Sequence, residues 1–240
     1  HLEAAGGAVE RRSWTAERWD GEEIPLTNIA ARFGPRRDGG LLLGTHWDSR
    51  AWANEDPDTT RRDEPVPGAN DGASGTAVLL ALADLFARRP PPIPVQLVLF
   101  DGEDQGDPET DAGWVLGSER YAAQPWEFQP EAGIVIDMIC RPGQLIDWDP
   151  ICRQLAPDVH RLIAAAEEAR GLKLLSHRLR EPILDDHLPL LRAGLPTALL
   201  IGYGDPDWHT VADLPDNCSD EPLRQIGTLL VEIIYGGYLH

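Results

Sequence analysis

The sequence predicts an α/β protein: a three-layer sandwich around a central, mostly parallel but mixed sheet. Five apolar segments of strand character and three segments of helical periodicity alternate along the chain. Polar clusters fall directly after several of the strands, where an open α/β sheet binds its ligand.

The strand segments are Ile24 to Phe33, Leu41 to Thr45, Val95 to Phe100, Gly133 to Asp137 and Thr197 to Ile201. Short, almost continuous apolar runs suit strands covered on both faces. Helical periodicity marks Gly75 to Arg88, Pro157 to Arg170 and Glu221 to Tyr235. The proline-rich run Arg89 to Pro94 joins the first helix to the next buried strand. Asn54 to Pro67, charged and aperiodic, reads as a surface excursion that delivers Gly68 to the sheet edge. No repeat or linker interrupts the 240 residues, and 42% hydrophobic content suits a single domain, residues 1–240, with one core.

Lys and Arg number 21 against 40 Asp and Glu, a net charge of −19, which disfavours nucleic acid and anionic membranes as partners. Small cationic or neutral substrates stay open. No apolar run approaches the roughly 20 residues that span a bilayer. Cys140, Cys152 and Cys218 are too few and too irregularly spaced for a disulfide framework or a cysteine zinc site, so metal ligands would be His, Asp and Glu. No signal peptide stands at His1; the chain opens in what reads as a helix end, so an upstream segment is expected to have been removed.

Five clusters carry chemistry. His46-Trp47-Asp48 follows the second strand; the imidazole could meet a metal with Asp48 orienting it, or be an ordinary surface histidine. Asp71 stands between Asn70 and Gly72 ahead of an apolar helix, as a buried ligand or as that helix's N-cap. Asp101-Gly102-Glu103-Asp104 closes an apolar strand. Adjacent carboxylates there repel unless a cation or proton intervenes, and a metal would let one ligate while the other carries protons. Asp185-Asp186-His187 and Asp207-Trp208-His209-Thr210 complete the set, with His209 a ligand beside an indole wall and His187 packed within its turn.

Taken in order, His46-x-Asp48, Gly68-Ala69-Asn70-Asp71, Asp101-Gly102-Glu103-Asp104, Gly117-Ser118, Asp137, Asp185-Asp186-His187 and Trp208-His209-Thr210 resemble the M28 aminopeptidase and glutaminyl cyclase superfamily over about Ile24 to Tyr235. Asp-Asp-His followed by Leu-Pro, then Trp-His-Thr, is more similar to the cyclases; aminopeptidases commonly carry Ser-Asp-His and Tyr-His. The resemblance implies a zinc-exopeptidase-like fold, zinc ligands Asp71, Asp104 and His209, and Glu103 as general acid and base. It also implies an acidic pair, Asp137 with Asp185, and Trp208 as the substrate wall. One zinc is expected in a cyclase; in an aminopeptidase His46 and Asp137 would hold a second, with Asp71 bridging.

The substrate implied is a peptide with a free N-terminus, the favoured state a monomer, and the location, by analogy, secreted or periplasmic. An inactive binding protein on this scaffold is disfavoured because Glu103 is present. Three departures stand out. Asp104 replaces the usual Glu. No Trp lies in Gln105 to Gly113, soon after the acidic pair. Gly204-Asp205-Pro206-Asp207 replaces the aromatic expected before Trp208.

Overall fold

In the computed structural model, which describes residues 1–124 and 126–239, the five expected strands and three expected helices are present with small shifts at their ends. The elements are β1 (Ala8–Glu17), β2 (Glu23–Phe33), β3 (Leu41–His46), α1 (Ala73–Arg88), β4 (Val95–Phe100), α2 (Leu116–Ala123), β5 (Ala132–Asp137) and β6 (Ile146–Trp148). There follow α3 (Pro150–Leu155), α4 (Pro157–Arg170), β7 (Leu175–Leu179), α5 (His187–Arg192), β8 (Thr197–Ile201) and α6 (Asp220–Tyr235).

The main sheet has the order β1-β2-β4-β3-β5-β8. Its β4, β3, β5 and β8 run parallel to one another, and β2 and β1 add antiparallel at one side. Every residue of β3, β4, β5 and β8 is buried, because helices cover both faces of the sheet. Helices α1, α4 and α6 pack on one another and reach β3, β5 and β8, while α2 and α5 pair and reach β2, β5 and β8. The pair β6 and β7 forms a separate short ribbon.

Strand β1 escapes the sequence reading. It is an edge strand with alternating half-buried and exposed positions, and its Arg and Glu residues protect a free edge rather than signal a core. The opening turn does have helix-end geometry: Ala5 donates to the His1 carbonyl, Gly7 to that of Leu2, and Gly6 sits at φ 88°.

Helix α1 comes very close to the sheet. A Cβ on Gly75 would lie 2.1 Å from Thr45 Oγ1, and one on Gly72, at φ 92°, would lie 2.5 Å from the Asp48 carbonyl. Glycine at both positions lets the helix start against the end of β3. Gly72, not Asp71, is the N-cap residue, so the Asp71 carboxylate is left to face the sheet edge.

One cysteine expectation needs correction: Cys140 and Cys218 form a disulfide across 78 residues, leaving Cys152 free and buried. Spacing could not reveal it, because the chain brings the segment after β5 and the segment before α6 together at the same sheet edge, where Ser219 donates to the Cys140 carbonyl.

Candidate active site

The parallel strands deliver their polar ends to one place. His46 ends β3, Asp137 ends β5, the acidic pair follows β4, and Trp208 and His209 lie in the loop after β8. All of His46, Asp71, Glu103, Asp104, Asp137, Asp185 and His209 are buried, so water cannot separate their charges.

Two donor sets share Asp71. In the first, His209 Nε2 lies 3.0 Å from Asp104 Oδ1 and 3.5 Å from Asp71 Oδ2. In the second, His46 Nε2 lies 3.1 Å from Asp71 Oδ1 and 3.0 Å from Asp137 Oδ1. Within each set the donor atoms fall within 4.8 Å of one another, a spacing that fits a single metal ion. The sets differ in what remains unpaired. Asp71 Oδ2 and Asp104 Oδ2 are buried without a hydrogen-bond partner among the described residues, whereas His46 Nε2 and Asp137 Oδ1 are hydrogen-bonded to each other. Buried carboxylate oxygens without donors are costly, and a divalent cation would relieve them.

Asp48 does more than orient His46. Its Oδ1 is 3.6 Å from His46 Nδ1, and its two oxygens accept from the backbone N–H of Glu103 and Asp104 at 3.1 and 3.2 Å. The carboxylate thus holds the acidic loop by its backbone. Asp71 is held the same way: Asp213 accepts from the N–H groups of Asn70 and Asp71 at 2.8 and 3.0 Å.

Crowded carboxylates shift their own titration. Burial, reinforced by the charges of Asp185, Asp104 and Asp186, raises the Glu103 pKa well above the usual range. Asp185 rises to about 7, through burial first and the charge of Asp137 second, and Asp137 rises to about 6, again by burial. Burial opposes a charge on His46, but Asp137, Asp48 and Asp71 together hold its pKa well above normal.

Among the described residues three that are not glycine have left-handed backbones: Val115, Met138 and His209, at φ 54°, 51° and 54°. Each belongs to the site, since Val115 N–H holds the Glu103 carbonyl at 3.0 Å, Met138 follows Asp137, and His209 completes the first donor set. Strain of about 1–3 kcal/mol per residue persists where the surroundings over-determine a functional geometry.

A cavity of about 500 Å³ opens over these groups, floored by Glu103, Asp104 and His209 and walled by Trp114, Tyr203 and Trp208. The aromatic departures read from the sequence are thereby offset. Trp114 stacks parallel to His209 (5.9 Å, 8°), Trp208 covers its ring at 3.7 Å, and half-exposed Tyr203 lines the cavity just before Gly204. Only the loop from Gln105 to Trp114, folding back on itself, reveals that Trp114 belongs here: its indole N–H donates to the carbonyls of Asp107 and Thr110.

His187 stays outside both sets. It is fully buried at the start of α5, 3.7 Å from Asp149, and together with Cys152 these form a third donor group. There Asp149 already accepts from Cys152 N–H and Ile183 N–H as the cap of α3.

Residues 28–234 match the family model described as peptidase family M28. The chain belongs to that family. It is similar to the solved structure of Tannerella forsythia glutaminyl cyclase, with 30% identity and a TM-score of 0.94 over 98% of this chain and 86% of that one. It is equally similar to a leucine aminopeptidase precursor from Bacteroides thetaiotaomicron, with 31% identity and a TM-score of 0.92 over 98% of this chain and 84% of that one. A glutaminyl-peptide cyclotransferase-like protein of Bos taurus is 25% identical over 95% of this chain, which spans 64% of that relative's length. The M28 chain therefore has both cyclase and aminopeptidase relatives, and among the described residues no helix is long and apolar enough to cross a membrane.

Proposed function

We propose that this M28 protein is a zinc-dependent glutaminyl-peptide cyclotransferase, converting an N-terminal glutamine to pyroglutamate with release of ammonia. The observation that carries this is the difference between the donor sets. In the first set Asp71 Oδ2, 3.5 Å from His209 Nε2, and Asp104 Oδ2 are buried without a hydrogen-bond partner, while in the second His46 Nε2 is hydrogen-bonded to Asp137. Asp71, Asp104 and His209 would hold one zinc. Bound there, zinc would supply Lewis-acid polarisation of the substrate's side-chain amide carbonyl.

The protein's own groups do the rest. Glu103, buried at the cavity floor with a raised pKa, takes a proton from the substrate's α-amine as that nitrogen attacks the carbonyl carbon of the side-chain amide. The same carboxyl returns the proton to the departing ammonia. No water is activated, so the attacking nucleophile and the carbonyl belong to one molecule and need only be held in register. Asp185 and Asp137 line the cavity beside Glu103; Asp137 is hydrogen-bonded to His46, and the charge of Asp185 helps keep the Glu103 pKa raised, as a proton carrier needs. Trp208, with Trp114 and Tyr203, walls the cavity against the glutamine side chain and excludes bulk water. The disulfide suits an oxidising compartment, in keeping with a secreted or periplasmic location.

A specific observation favours a second reading, a two-zinc aminopeptidase. Asp137 is turned toward His46 rather than away from it, and Asp71 offers one oxygen to each set, as a bridging ligand would. A glutaminyl dipeptide and a leucyl chromogenic amide, each assayed with added zinc and with chelator, separate the two. Zinc-dependent ammonia release with an intact leucyl amide supports the cyclase; the reverse pattern supports the peptidase.

A further inference from the structure

Arg50 is the largest of the fully buried side chains, 1% exposed, and lies four residues beyond His46. A guanidinium is rarely buried unless its donors are answered, and here each of its three nitrogens meets an acceptor. Its Nε donates to Asn54 Oδ1 at 2.5 Å and its Nη2 to the Gly106 carbonyl at 3.1 Å. Its Nη1 reaches Asp104 twice, the carbonyl at 3.1 Å and Oδ1 at 3.3 Å. The flat face of the group lies 4.6 Å from the Trp114 ring, and Trp114 in turn lies parallel to His209. One buried cation therefore touches the backbone and side chain of Asp104, and supports the ring of His209 through an indole.

We propose that Arg50 is a positioning residue for the metal centre, holding Asp104 and, through Trp114, His209 in ligating geometry. This rests on the reading of Asp104 and His209 as zinc ligands. The need arises from the shorter side chain at position 104. Aspartate lacks one methylene relative to glutamate and reaches about 1.5 Å less far, so the loop after β4 must come closer to His209. His46, Asp48 and Arg50 stand at alternate positions where β3 ends, each less exposed than the Trp47 and Ser49 between them. Asp48 takes the backbone N–H groups of Glu103 and Asp104, and Arg50 takes the carbonyls of Asp104 and Gly106. The loop is thus gripped from both sides of its peptide groups. Arg50 engages Asp104 Oδ1, the oxygen that lies 3.0 Å from His209 Nε2, while Oδ2 is left without a hydrogen-bond partner. A lysine cannot reproduce this, since it carries its charge at one point, with neither the planar fork nor the stacking face.

The test compares Arg50→Lys, Arg50→Met and Asp104→Ala, and adds Asp104→Glu to the Arg50→Met background. Zinc affinity is read by competition with a chromophoric chelator. Near-UV circular dichroism and melting of the chelator-treated proteins report whether each variant folds. Both Arg50 variants should bind zinc ~10- to 100-fold more weakly, the range typical when a group that orients a ligand is lost. Asp104→Glu should recover most of that loss in the Met background, because the longer side chain reaches without the pull of Arg50; a merely structural role for Arg50 gives no such recovery. If the Met variants do not fold, Arg50→Lys decides alone. Wild-type zinc affinity in a folded Arg50 variant, or a loss that Asp104→Glu does not repair in the folded Met protein, overturns the proposal. Zinc retained by Asp104→Ala overturns the ligand reading itself, whereas zinc lost there but kept in the Arg50 variants refutes only the role of Arg50.

Discussion

Replacing Glu103 with glutamine changes one oxygen to an amide and leaves the side chain's length and shape intact. The loop should hold, because Asp48 grips the backbone N–H of residue 103 and Val115 grips its carbonyl, and neither contact involves the side chain that changes. The metal should stay as well, since Asp71, Asp104 and His209 are untouched and one negative charge is removed from a crowd of buried carboxylates. What disappears is a group able to accept a proton from an amine and give it to ammonia. Positioned general acid–base catalysis is typically worth ~10²- to 10⁴-fold, about 3–5 kcal/mol of barrier, so Glu103→Gln should lose turnover on that scale. Ammonia release from a glutaminyl dipeptide, with zinc content measured on the same sample, provides the assay. Turnover within a few-fold of wild type at full zinc occupancy would remove Glu103 from the mechanism.

Other consequences can be checked independently. Asp71→Ala, Asp104→Ala and His209→Ala should each release zinc while His187→Ala keeps it, as metal analysis after gel filtration will report; full occupancy in any of the first three cancels that residue as a ligand. Reducing the Cys140–Cys218 disulfide should lower unfolding stability by about 2–4 kcal/mol, seen as a lower denaturant midpoint, and an unchanged midpoint would mean that the closed loop adds nothing. Burial lowers the pKa of His160 from 6.5 to about 4, beside Trp148. Between those values the unfolded chain binds the extra proton and the native one does not, so this residue's contribution makes stability fall as pH drops from about 6.5 toward 4. His160→Phe should flatten that part of the denaturation profile; an equally steep profile excludes His160 as its source.

How far the sequence could be read follows from where each signal is stored. Strands β3, β4, β5 and β8 announce themselves because a strand covered on both faces must be apolar throughout. Strand β1 does not, since an edge strand with Arg11, Arg12 and Glu10 has the composition of a surface. The buried carboxylates and histidines were legible in order because a parallel sheet must deliver its strand ends to one side, and that rule needs no coordinates. Contacts between distant loops were not legible. The grip of Asp48 on the acidic loop, the stacking of Trp114 on His209, the burial of Arg50 and the Cys140–Cys218 bond all depend on how loops close in space. Whether Asp137 pairs with Asp185 or faces the second donor set depends on a side-chain rotation, and Asp137 faces His46.

That last contact makes zinc stoichiometry the most direct test of the central claim. Native mass spectrometry of the protein saturated with zinc counts the ions held by each chain. The account predicts one zinc, lost in Asp104→Ala and His209→Ala and retained in His46→Ala, because His46 and Asp137 are engaged with each other. Two zinc ions per chain, the second lost in His46→Ala, would contradict it and point to the aminopeptidase.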